Sequence, residues 1–238
     1  MDSILGEVAM ATDVSSHRVC NKEHFYITDQ IHRVGKIGSF LAVSALLAVA
    51  GPANAGEKSV GSYPYRITSD CMICHGMTGH DTIYPIVPRL AGQHKSYLES
   101  QLKAYKDRSR ADQNGEIYMW PVAQSLGAAK IKALASYFAS QKPPMKSSGI
   151  KHAGMARGKI IFTQGISHEQ IPACMVCHGA AGQGAGPFPR LAGQRYGYMV
   201  QQLKYFHNGT RVNKIMNQIV KNITVAQIKE VAAYLSSL

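Results

Sequence analysis

Two stretches of the chain carry the same apolar spacing. Ile131, Leu134, Ala135 and Phe138 fall at i, i+3, i+4 and i+7, and Ile228, Val231, Ala232 and Leu235 repeat the pattern 97 residues later. Four apolar side chains on that spacing share one face of a 3.6-residue turn, so each stretch is predicted to be an amphipathic helix. Thr224, followed three residues on by Gln227, is a capping box for the second of these helices, whereas the first starts from Gly127. Residues 96–107 and 197–207 are also predicted to be helical, with Leu98, Leu102 and Tyr105 inward in the first and Met199, Leu203 and Phe206 inward in the second. Residues 156–162 read as a further helix ending near Gly165, while their counterpart at 60–67 reads as a shorter segment. The expected fold class is all-α.

One apolar run is of a different kind. Residues 37–50 are apolar or small throughout, follow Arg33 and Lys36, and lead into Pro52-Ala53-Asn54-Ala55. A basic flank, a short apolar stretch and a small-x-small site make a secretory signal, with cleavage expected before Gly56. The run is shorter than the ~20 residues a spanning helix needs, which sets an uncleaved anchor second. Residues 1–33 show no periodicity and read as an over-extended gene start, with Val34 as the initiator. The mature protein is expected to be exported to the periplasm.

The rest of the chain is a duplication. Pro88-Arg89-Leu90-Ala91-Gly92-Gln93 recurs as Pro189-Arg190-Leu191-Ala192-Gly193-Gln194, and Tyr97, Gln101 and Leu102 recur as Tyr198, Gln202 and Leu203. A period of about a hundred residues fits two copies of one domain better than a solenoid. The expected division is an extension at 1–33, a signal at 34–55, a first domain at 56–141, a linker at 142–150 and a second domain at 151–238. The linker's Pro143-Pro144 pair argues for a stiff connection.

Charge narrows the choice of partner. Residues 56–238 hold 22 Lys and Arg against 9 Asp and Glu, and the excess is greater in the second half, at 10 against 2 from residue 149 onward. There is no basic run of the kind that binds nucleic acid, and export removes nucleic acid from reach. Docking on the acidic face of a redox protein is the better reading, and a loose association with a membrane surface is compatible with it.

The chemistry lies in two short motifs. Cys71-Met72-Ile73-Cys74-His75 and Cys174-Met175-Val176-Cys177-His178 each place two thiols three positions apart, with an imidazole directly after the second. A single such pair could be a redox dithiol, half of a zinc site or a disulfide. Two copies with His in the same place, each followed by glycine and neither set in a βαβ pattern, favour covalent haem, in which each thiol adds to one vinyl group and His becomes an iron ligand. Two covalently bound haem c groups are therefore expected on Cys71, Cys74, Cys174 and Cys177, with His75 and His178 on the irons.

The opposite face of each haem decides between carrier and enzyme. Met119 and Met216 both sit in the loop before the closing helix, and their separation of 97 residues is that of Ile131 and Ile228. This register makes them the candidate sixth ligands, with His207 as the next choice. Methionine on both irons closes them to substrate and suits electron transfer.

On these residues the chain from about Val60 onward resembles the di-haem cytochrome c4 family, two class I cytochrome c domains in one polypeptide. The resemblance rests on the two Cys-x-x-Cys-His motifs, the two Pro-Arg-Leu-Ala-Gly-Gln stretches, the two Tyr-x-x-x-Gln-Leu stretches and the methionine positions. It implies that Pro88 and Pro189 offer carbonyls to the Nδ1-H groups of His75 and His178, and that Arg89 and Arg190 lie near haem propionates. The chain departs from the pattern in residues 1–33, in the short start of the first unit, in a four-residue surplus near 113–120 and in Trp120, where the second unit has Asn217. The expected role is a periplasmic shuttle of single electrons between respiratory complexes. The alternatives are a di-haem enzyme, such as a peroxidase or thiosulfate-type dehydrogenase, and the cytochrome subunit of a larger dehydrogenase.

Overall fold

The computed structural model describes residues 63–80, 84–144 and 152–238. The expected extension, signal and anchor segments, and the linker beyond Pro144, lie outside them. The described residues are helical, with two isolated β-bridges, Ile166 to Ile171 and Ala185 to Phe188, and no strand. None of their helices is long and apolar enough to cross a membrane.

The two halves are built alike. In the first, α1 (Tyr63–His75) ends in the haem motif, α2 (Lys95–Lys106) follows, one turn of π-helix (Gly115–Met119) runs into α3 (Trp120–Gln124), and α4 (Ala128–Ser140) closes the unit. In the second, α5 (Met155–Gln164) and a short α6 (Met175–His178) precede α7 (Tyr196–His207), α8 (Lys214–Ile219) and α9 (Val225–Ser236). The closing helices supply each core from the predicted positions. Ile131, Leu134, Ala135 and Phe138 pack with Leu98 and Leu126. Val231, Ala232 and Leu235 pack with Ile161, Phe162 and Met199, while Ile228 joins Ile171, Phe206, Val220 and Ile223. Burying each large aliphatic or aromatic side chain contributes roughly 1.5–3 kcal/mol. The capping box forms as expected, since Thr224 Oγ1 accepts from Gln227 N and Gln227 Oε1 accepts from Thr224 N.

Two expectations need correction. The start of the first unit is a 13-residue helix that runs without a break through Cys71 to His75. In the second unit the corresponding helix stops at Gly165 and a loop intervenes before α6. Leu98 of α2 and Met199 of α7, both predicted inward, pack with the closing helices. The segments holding Met119 and Met216 were read as loops but are helical, and the surplus has a local cause. Equivalent residues are 101 apart from Pro88 and Pro189 to Arg110 and Arg211 but 97 apart from Met119 and Met216. The four extra residues of the first unit thus fall between Arg110 and Met119, where the π-helical turn takes up added residues without unwinding the chain.

The closest helix crossing is in the second unit, where α5 lies on α9 at Gly158. A Cβ at Gly158 would collide with the backbone carbonyl of Glu230, which cannot swing aside as a side chain can. Gly158→Ala is expected to lower stability by about 1–3 kcal/mol through overpacking, read as a drop in the denaturant midpoint. An unchanged midpoint would show that the two helices are free to separate.

Candidate haem centres and the seam between them

Each His is set by the helix it ends. Gly76 and Gly179 adopt φ of 76° and 80°, a conformation that glycine takes without steric cost, and turn the chain directly after the imidazole. His75 and His178 are each 7% exposed. Nδ1 of His75 lies 2.9 Å from the Pro88 carbonyl and Nδ1 of His178 lies 3.0 Å from the Pro189 carbonyl. A carbonyl can only accept, so in each ring the proton is on Nδ1 and the lone pair on Nε2 faces the other way. Burial holds both imidazoles below the usual His pKa, against the opposing effect of the carbonyl bond. Each is thus a neutral donor of fixed tautomer, the form a metal requires.

The cysteines do not look like a redox pair. Among the described residues none of the four is in a disulfide, and burial pushes Cys71 and Cys174 up to about 11. Reactive dithiols and zinc thiolates need the opposite shift. No group of three or more His, Cys, Asp or Glu is placed to hold a bare metal ion among the described residues.

Met119 ends the π-helical turn and Met216 lies within α8, both half-buried. Met216 borders the cluster of Ile171, Phe206 and Val220. Their flanking residues differ but make the same bond. Trp120 Nε1 donates to the Arg110 carbonyl at 2.9 Å, and Asn217 Nδ2 donates to the Arg211 carbonyl at 3.0 Å. The substitution that looked like an aromatic on one side only therefore preserves a hydrogen bond. Nδ1 of His207 lies 2.9 Å from the Val220 carbonyl.

The Arg89 and Arg190 region does more than sequence reasoning assigned to it. Gln194 Oε1 accepts from Arg89 N at 2.8 Å and its Nε2 donates to the Arg89 carbonyl at 2.9 Å. Gln93 makes the same two bonds, at the same lengths, to the backbone of Arg190. Arg89 Nη1 also donates to the Gly193 carbonyl at 2.5 Å. The two Pro-Arg-Leu-Ala-Gly-Gln loops are therefore paired across a pseudo-twofold seam.

Deeper in the seam, Arg110 donates to Gln101 Oε1 and Gln202 Oε1, both at 2.8 Å. Arg211 donates to the same two oxygens, at 2.8 and 2.5 Å. Tyr198 and Tyr97 take further bonds from Arg110 and Arg211, at 3.4 and 3.1 Å. Although burial alone would raise the Tyr97 phenol, Arg211 and Arg110 beside it bring it below its ordinary range. The repeated Tyr-x-x-x-Gln pattern thus serves the joint between domains. The arginines were missed, although their offset of 101 residues, shared with Gln101 and Gln202, was there to find. Pro143 and Pro144 of the linker lie over Gly92 and Gly193, which ties the connection to both loops.

These residues fit covalent haem. Paired thiols precede an imidazole whose Nε2 is left for iron, in both units. Arg190 Nε is buried with no hydrogen-bond partner in the structure, and that burial lowers the guanidinium pKa. A propionate would suit it on both counts. Removing either Gln93 or Gln194 strands a backbone N-H and C=O of the opposite loop, at roughly 1–3 kcal/mol for each buried group left unsatisfied. Gln93→Ala and Gln194→Ala are each expected to lower the thermal midpoint and expose the linker to protease. Equal protease resistance in variant and parent would mean that the seam is held elsewhere.

Comparison with known proteins bears on the same residues. The family model described as cytochrome c matches twice, at residues 65–142 and 155–238. The chain is 70% identical over 230 residues to cytochrome c-552 of Acidithiobacillus ferridurans, covering 96% of this chain and 100% of that one. It is 33% identical over 174 residues to a protein of Thiomonas intermedia named thiosulfate dehydrogenase electron acceptor, covering 71% of this chain and 78% of that one. A solved structure of Acidithiobacillus ferrooxidans cytochrome c4 superposes with a TM-score of 0.70 at 80% identity, covering 72% of this chain and 99% of that chain.

Proposed function

Since the chain belongs to the cytochrome c family, in its di-haem cytochrome c4 branch, and carries two covalently attached haem c groups as an electron-transfer protein and not an enzyme, we propose that it shuttles single electrons in the periplasm between a quinol-oxidising complex or dehydrogenase and a terminal oxidase or reductase. The observation that carries this reading is the matched pair of sites. Each unit supplies two thiols, one His with its Nδ1 proton held by a proline carbonyl, and one Met on a short helix.

Each haem supplies a one-electron iron couple. Cys71 and Cys74 would hold the first covalently, and Cys174 and Cys177 the second. His75 and His178 would bind iron through Nε2, with Met119 and Met216 as the second protein ligands. Arg89 and Arg190 would serve the propionates. The two Pro carbonyls keep each imidazole oriented and electron-rich, so little has to move when the oxidation state changes. Met119→Ala and Met216→Ala are each expected to remove about half of the long-wavelength methionine-to-iron charge-transfer band of the oxidised protein, leaving one open iron. Loss of the whole band, or of none, in either variant would overturn the ligand assignment.

The partner reading rests on charge. In the second unit Lys159, Lys204, Lys214, Lys221 and Lys229 are exposed, and the acidic side chains are Glu169 and Glu230, the latter paired with Arg157. Such a face would attract an acidic redox protein, with on-rates raised roughly 10–10³-fold by steering at low salt. Electron transfer to an acidic partner, followed by stopped-flow absorbance, is expected to slow as ionic strength rises and to slow further in Lys214→Glu. A rate that is flat with salt would place docking on another face. The name of the Thiomonas intermedia relative favours a second reading, in which the chain accepts electrons from a dehydrogenase in a lasting complex. Purification as a free monomer would count against that reading.

A further inference from the structure

The buried cluster at the seam is matched in type but not in charge. At an offset of 101 residues Tyr97, Gln101 and Arg110 stand opposite Tyr198, Gln202 and Arg211. The ring under each guanidinium is Tyr105 in one half and Phe206 in the other, at 4.5 and 4.4 Å. Two residues beyond each arginine the first half has Asp112 and the second Asn213. Both side chains begin the segment that carries their unit's methionine. Asp112 Oδ1 accepts from Gly115 N at 3.1 Å. Asn213 Oδ1 accepts from Ile215 N and Met216 N at 3.1 and 2.9 Å.

The two differ by one unit of charge, and in the first half that charge sits where it is poorly screened. Asp112 is 1% exposed, and its second oxygen accepts from Arg110 Nε at 2.7 Å. Among the described residues no carboxylate lies within salt-bridge distance of Arg211, whose bonds go to Gln101, Gln202 and Tyr97. The seam therefore buries two guanidiniums and one carboxylate. The negative member belongs to the segment of Met119, while the position before Met216 is neutral. Away from water a Coulomb interaction survives over distances at which solvent would cancel it, and it weakens with separation. A negative charge favours the oxidised, more positive iron, and it favours the nearer iron more.

We propose that Asp112, through the carboxylate that its counterpart Asn213 lacks, lowers the reduction potential of the first unit's iron below the value its otherwise matching surroundings would set, and so makes the two irons unequal. Asp112 acts through the field at the seam, as a positioning and tuning residue without contact to iron. The proposal rests on the reading of Met119 and Met216 as the iron ligands.

The test is a spectroelectrochemical titration of the full haem-loaded chain and of its Asp112→Asn and Asn213→Asp variants, with the charge-transfer band recorded on each. Both substitutions keep an Oδ1 that can accept the amide bonds of the segment, so the cap is preserved and charge is exchanged, while Asp112→Asn also gives up the bond from Arg110 Nε. Asp112→Asn is expected to raise the two midpoints unequally and Asn213→Asp to lower them unequally, with the larger shift on a different haem in each. Loosened packing would move the midpoints in the same sense in both variants. Midpoints that stay put, or that move together by one amount, overturn the proposal while leaving the ligand reading intact. Absence of the band in the parent overturns the ligand reading, and the proposal with it. Should Asp112→Asn fail to fold, Asp112→Ser, which keeps an acceptor for Gly115 N and loses the charge, is expected to shift the midpoints in the same unequal way, and equal midpoint shifts there overturn the proposal. At Asn213, an exposed position, solvent screens an added carboxylate and the shift is expected to be smaller.

Discussion

A six-residue loop used twice constrains everything else. In Pro88-Arg89-Leu90-Ala91-Gly92-Gln93 the first residue's carbonyl faces His75, and the last residue's amide side chain holds the backbone of the opposite loop. The second copy does the same for His178 and for Arg89. One short rigid piece of chain thus fixes an imidazole on one side and a domain joint on the other. The imidazole cannot turn without disturbing Pro88, and Pro88 cannot shift without straining the bonds between Arg89 and Gln194. The orientation of each site is in this way referred to the other domain, and two small helical units with separate cores come to hold a fixed relation.

The same joint carries an electrostatic cost. Arg110 and Arg211 share both glutamine oxygens, so two like charges face one another with water largely removed. Buried charges are tolerated only when their hydrogen-bonding groups are satisfied. The glutamines, the tyrosine hydroxyls, the aromatic faces of Tyr105 and Phe206, and the one carboxylate of Asp112 meet that need. Neighbouring phenols and Asp112 hold the Arg110 guanidinium well above its ordinary value despite its burial, so it stays charged. A seam of this kind contributes specificity more than strength: a slip of one residue would leave several of these groups unpaired in a dry place.

How far the sequence speaks for this structure depends on the kind of contact. The closing helices, the capping box at Thr224 and the position of the cores were legible because they follow from local periodicity. The haem motifs were legible because the spacing of thiols and imidazole is set by porphyrin chemistry. The joint was not, because its partners lie 87 to 114 residues apart and polar residues on a helix surface look like any solvated face. Repetition was the available signal. Tyr97, Gln101 and their counterparts were noticed, but they were read only as marks of a duplication, when the repeated polar residues pointed at the other domain. Helix α1 was missed for another reason: one continuous helix into the haem motif has no counterpart in the second unit, where Gly165 interrupts it.

Duplication explains why the two halves tolerate some changes and register others. Trp120 and Asn217 have little in common as side chains, yet each supplies one N-H to an arginine carbonyl, and a backbone acceptor does not distinguish an indole from an amide. The four extra residues before Met119 are likewise absorbed in one π-helical turn, so that the methionine returns to register with the closing helix. Both changes preserve the geometry that a duplicated site needs. The exchange of Asp112 for Asn213 keeps the cap on the segment that follows, but only Asp112 also accepts from its arginine, at 2.7 Å. It differs from the other two in altering charge, and charge acts at a distance where hydrogen-bond geometry does not. In a fold that copies most of its contacts, a difference that keeps the cap and changes the field is the one the two irons are able to sense.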